Sequence, residues 1–84
     1  MSDSRTTDIT AGPGGVMTDE VGVITGLLTI RTEVTDDLTV TLHVQYKDAE
    51  EWYAVTNGRT QLHDAGDIHA VHAIAVGLLD RPLG

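Results

Sequence analysis

Four histidines carry most of the chemical potential of this chain, and three fall close together in sequence: His63, His69 and His72. His69 and His72 are three residues apart, a spacing that puts both rings on neighbouring positions of one helix face. Two imidazoles so placed can share a metal ion, and His63, with Asp64 and Asp67, lies just upstream. The same residues would be the acid–base groups of a small enzyme. The run matches no metal motif in which each spacing has a job, as it does in HExxH. On the bland reading, His72 borders an apolar face as a core-edge histidine bonded to a carbonyl, His69 is exposed on the flank, and His43 belongs to the far side of a sheet.

The other reactive types are sparse. There is no cysteine, so thiolate chemistry and disulfides are absent. Ser2 and Ser4 stand near the start, and the many threonines have the character of strand residues. The acidic pairs Asp19-Glu20, Asp36-Asp37 and Glu50-Glu51 suit turns and complete no calcium loop. The glycine-rich AGPGG stretch lacks the lysine and the preceding strand of a phosphate loop. No constellation of these groups supplies a preorganised site. The expectation is a noncatalytic protein with no cofactor.

These residues must be positioned by something, and the clearest element is the helix expected over residues 66–81, GDIHAVHAIAVGLLDR. Asp67 reads as its N-cap, Arg81 as a cation in its last turn and Pro82 as its stop. Ile68, Val71, Ala75, Leu78 and Leu79 share one face, with Ile74 at its edge. The opposite side carries Ala70, Ala73 and Gly77, with Val76 on the flank, where a surface helix would carry charge. A helix apolar all round is generally buried, so a second contact is expected there, most simply another copy of the chain.

Upstream, residues 38–46 alternate apolar and polar without a fault, as a half-buried antiparallel strand does. Residues 23–34 read as the strand before it. Residues 52–56 and 59–63 read as two more, joined by an Asn57-Gly58 hairpin turn. A three-residue loop at 35–37 would pair Val34 with Leu38 and Gly26 with Tyr46, keeping the apolar residues on one side. The fold class is α+β: a four-stranded antiparallel β-meander with one C-terminal helix packed on one face. Residues 1–18, rich in Ser, Thr, Asp and Gly, read as a flexible N-terminal tail, and 19–84 as the single domain. On the outer sheet face Trp52 stands out, with Leu27 and Ala54 near it as a partner surface. The alternative is that Trp52 clamps the Lys47 stem locally.

The chain has 84 residues and a formal charge of −8, from 13 acids and 5 bases. So few scattered cations argue against nucleic acid, and no run is long and apolar enough for a membrane span. With no recognisable leader, a cytoplasmic protein is the default. The expected function is a small interaction or regulatory module, homodimeric through Ala70, Ala73, Val76 and Gly77, that also meets another protein through Trp52, Leu27 and Ala54. The alternative is a metal- or small-ligand-binding protein using His63, His69 and His72.

Overall fold

Threonine-rich, alternating and two-sided, the first segment of the chain is its longest strand. The computed structural model describes residues 3–82. Four antiparallel strands in a meander precede one C-terminal helix, an α+β fold. The elements are β1 (Asp3–Thr18), β2 (Gly22–Val34), β3 (Thr39–Tyr46), β4 (Tyr53–Gln61), a 3-10 turn (Ala65–Asp67) and α1 (Ile68–Leu79). The sheet closes into a barrel through one pairing of β1 with β4, Thr18 opposite Val55. The Asp19 N–H donates to Ala54 O at 3.0 Å beside it.

The expected tail is therefore corrected. Residues 3–11 pair with β2 from Val34 to Gly26. Their inward side holds Arg5, Thr7, Ile9 and Ala11, of which Ile9 and Ala11 are buried. Two of these four inward residues are polar, so the segment lacks the hydrophobic contrast of an ordinary strand. AGPGG does not break the strand. It is a bulge between Ala11 and Val16, a place where an edge strand tolerates proline and where extra residues bend the sheet.

Gly15 is required there. Its φ is +57°, and a Cβ would lie 2.5 Å from Ile24 O and 2.6 Å from Val23 Cγ1. Gly15→Ala combines a left-handed backbone with overpacking, and we expect it to lower stability by about 2 kcal/mol or more. A urea melt checks this, and an unchanged midpoint would contradict the placement.

The β2–β3 register differs from expectation by two residues: Val34 pairs with Val40, Ile30 with Val44 and Leu28 with Tyr46. A shift of two preserves the faces, so the inward set stands: Leu28, Ile30, Val34, Val40 and Val44 are all buried. Gly26 pairs with Ala11, not Tyr46. Leu38 leaves the strand and sits in the turn at φ 66°. That turn is held by Thr35 N–H to Thr39 O at 3.0 Å, and by Asp37, whose carboxylate accepts from the Thr35 hydroxyl and the Thr39 N–H. Asn57-Gly58 is not a hairpin turn either. It lies inside β4, where Asn57 takes φ 64° within a bulge opposite Leu42.

The core has two apolar parts. One gathers Ile9, Ala11, Val16, Ile24, Leu28, Ile30, Val44 and Ala75. The other gathers Val34, Val40, Leu62 and Ile68. On β2 the residue between them is Thr32, fully buried.

Asp67 is the N-cap residue of α1, as expected, but makes no side-chain cap bond; it also ends the 3-10 turn, which Asp64 caps by accepting from Gly66 N–H at 2.7 Å. Arg81 is beyond the helix, pairing with β1. Its N–H donates to Thr10 O at 2.8 Å, and its guanidinium donates to Gly15 O at 2.9 Å. The Asp80 carboxylate accepts from Thr10 N–H at 2.9 Å. These bonds fasten the end of the helix to the bulge. Among the described residues, no helix is long and apolar enough to cross a membrane.

Candidate functional site

α1 presents different chemistry on its two sides, and the inner side settles where the histidines go. His72 lies between two strands. Its Nε2 is 2.7 Å from Thr7 Oγ1 on β1, and its Nδ1 is 2.8 Å from Thr32 Oγ1 on β2. A neutral imidazole offers one donor and one acceptor, so one threonine gives a proton and the other receives one. Burial holds the His72 pKa below its ordinary value, and the nearby Arg5 guanidinium pushes the same way. This polar contact separates the two apolar parts of the core.

The other proposed metal ligands are placed apart from it. His69 is exposed, and its Nε2 faces the Arg5 guanidinium at 3.2 Å. Arg5 also donates to Asp3 at 2.8 Å. His63 is exposed in the loop before the 3-10 turn. Among the described residues, no three His, Cys, Asp or Glu side chains gather as a metal site. The expectation that His72 is a core-edge histidine matches its position. The partners are threonine hydroxyls where a carbonyl was expected.

The outer side of α1 is apolar. Ala70, Ala73 and Gly77 lie exposed on the side of α1 away from the sheet. Val76 is not on that side; it packs half-buried against the larger core cluster. Leu78, expected inward, is 66% exposed, and Ile74 is 65% exposed. The His72 bonds turn the helix this way. With His72 aimed at Thr7 and Thr32, Val76 follows it inward at i+4 and Leu78 is carried outward. A hollow of about 400 Å³ opens beside the helix, lined only by apolar residues: Leu42, Ala70, Val71, Ile74, Ala75 and Leu78.

On the outer sheet face, Arg31, His43 and Ala54 stand in one row across β2, β3 and β4. Trp52 is half-buried, its ring stacked by the Arg31 guanidinium at 4.4 Å. The local-clamp expectation named the wrong cation: Lys47 instead lies 3.5 Å from Asp8. Leu27 is 60% exposed but two rows from Ala54, with Thr29 and Gln45 between. These three residues therefore do not form one apolar patch. Arg31 Nε and His43 Nδ1 are buried without hydrogen-bond partners. The sequence reading passed over Arg31, although a strand arginine beside the lone tryptophan is a readable signal. Comparison with protein-family models, with curated proteins and with solved structures finds nothing that matches this chain.

Proposed function

We propose that the protein is a noncatalytic interaction module that self-associates through the outer side of α1. The observation that supports this is the exposure of Ile74 and Leu78 beside a wholly apolar hollow, on a helix with no charged residue. Large apolar side chains next to an apolar depression are the usual mark of an interface. Gly77 strengthens the case, since a Cβ there would meet nothing within 4 Å. Nothing among the described residues requires a glycine at that point, whereas a second backbone passing close would.

Charge favours a second copy as the occupant. Two molecules of charge −8 repel wherever acids face acids. The residues from Ile68 to Leu79 carry no charged group, so this side lets them meet without opposing carboxylates. A strongly basic partner would find no counter-charge here. Area sets the extent. A stable interface buries about 800 Å² per partner, roughly a sixth of the 5055 Å² surface. A helix about 18 Å long cannot supply that alone, so the hollow and Leu42 are included.

The test is mass in solution by light scattering. The natural chain is expected to be a dimer, and the double change Ile74→Glu, Leu78→Glu a folded monomer with an unchanged far-ultraviolet spectrum. A natural chain that stays monomeric at high micromolar concentration removes the reading. A double variant that still dimerises moves the interface elsewhere.

A further inference from the structure

β3 and β4 separate in mid-sheet. His43 and Val44 face Ala54 and Tyr53, and Thr39, Val40 and Thr41 face Gln61, Thr60 and Arg59. Between these stretches the single residue Leu42 spans the same gap as residues 55–58. Gly58 fits the bulge closely: a Cβ would come within 3.1 Å of Leu42 Cβ and Val55 Cβ. The gap leaves a pocket of about 200 Å³, with Leu42 and Val55 as apolar walls and Asp19, Thr41, His43 and Arg59 as polar ones.

The polar groups are not spent on one another. Asp19 and Arg59 line one pocket without forming an ion pair. Among the described residues, the Arg59 guanidinium has no hydrogen-bond or ion-pair partner. Asp19 is anchored through Oδ1, which accepts from the Thr56 hydroxyl at 2.7 Å, and Oδ2 remains able to accept. His43 contributes a buried ring nitrogen with no partner. Buried polar atoms in folded proteins are nearly always satisfied, and an orphan asks for an explanation such as a bound group.

We propose that this pocket binds a small zwitterion of the α-amino-acid class. The Arg59 fork takes the carboxylate, Asp19 Oδ2 takes the ammonium group, and the His43 ring turns its Nδ1 to a third polar atom of the ligand. Opposite charges that line one pocket without pairing select a molecule that carries both. A simple anion would leave Asp19 unpaired, and a simple cation would leave Arg59 unpaired. The volume lies below the range of about 300–1,000 Å³ for drug-sized ligands, which limits the ligand to a small one. The inference does not rest on self-association: the groups that carry it, Asp19, His43 and Arg59, are all outside α1, and Leu42 is the one residue common to the two hollows.

The test is a nuclear magnetic resonance titration with glycine, L-serine and L-glutamate, run beside acetate and methylammonium. Saturable shifts at His43, Thr41 and Ala54 are expected with at least one amino acid, and binding about ten-fold or more weaker with acetate or methylammonium. Arg59→Gln, an exposed change, is expected to weaken the amino acid about ten-fold or more while leaving the melting temperature within a few degrees. Asp19→Asn should act similarly. No saturable shift with any of the three amino acids overturns the proposal. So does equal binding of acetate, or a shift that survives Arg59→Gln.

Discussion

A chain that begins at Gly12 is expected to be unfolded. The nine residues from Asp3 to Ala11 look dispensable by composition, yet they form the ladder with β2 from Val34 to Gly26. Their loss strips cover from Leu28 and Ile30, both fully buried, and removes Ile9 from the same cluster. Deleting one buried isoleucine side chain alone costs about 2–5 kcal/mol. It also removes Thr7 from His72 and Thr10 from both Asp80 and Arg81. A domain of this size has about 5–10 kcal/mol in total, so the truncation exceeds what is available. Far-ultraviolet circular dichroism and amide dispersion decide it, with a chain starting at Asp3 as the folded control. A cooperative melt from the shorter chain would show that β1 is an accessory.

The second large effect comes with acid. Burial and Arg5 lower the His72 pKa in the folded state, so below the unfolded value of about 6.5 the folded chain binds fewer protons than the unfolded one. Stability then falls as pH falls. The contribution of neutral His72 is complete above about 6.5, is lost on the way down through the lowered folded value, and levels off below it. The groups facing this histidine are Arg5, Thr7 and Thr32, with His69 one turn away, and none offers a negative charge to the imidazolium. Protonation also makes both ring nitrogens donors, so both threonines must accept. Whichever threonine donates to the neutral ring then has to find a new acceptor for its proton. Carboxylates held below their usual range, such as Asp8 beside Thr29 and Asp37 beside Thr35, yield only in stronger acid. Urea midpoints between pH 7.5 and 5.5 are expected to drop for the natural chain and stay flatter for His72→Gln, whose amide bonds without titrating. Equal drops in both would assign the effect to other groups.

What the sequence made legible was whatever repeats with period two or binds by apolar burial. β2 and β3 declared their inner faces through Leu28, Ile30, Val40 and Val44, and a register error of two left those faces intact. β1 stayed hidden because Arg5 and Thr7 occupy inward positions, and the partners that let them do so lie far off in sequence, His72 65 residues from Thr7 and His69 64 residues from Arg5. Asn57-Gly58 was read from local turn preference. Its positive φ is real, but the residues beyond it continue the same strand. The helix was placed almost correctly in sequence and slightly off in rotation: Ile68, Val71, Ala75 and Leu79 face the core as read, while Leu78 turns out and Val76 turns in. Its hydrophobic pattern does not distinguish Leu78 from Val76, and only the threonines of two other elements do. The pocket beside Arg59 was invisible for the same reason, since it depends on where two strands separate.

The histidine between Thr7 and Thr32 therefore does more than fill a gap. Oily contacts are indifferent to angle, and a rod greasy on all sides would roll on its bed with little preference among settings. Two directional bonds act as a key in a slot and fix one setting. Which side chains this molecule shows to the world is decided by a half-buried polar contact between rod and sheet.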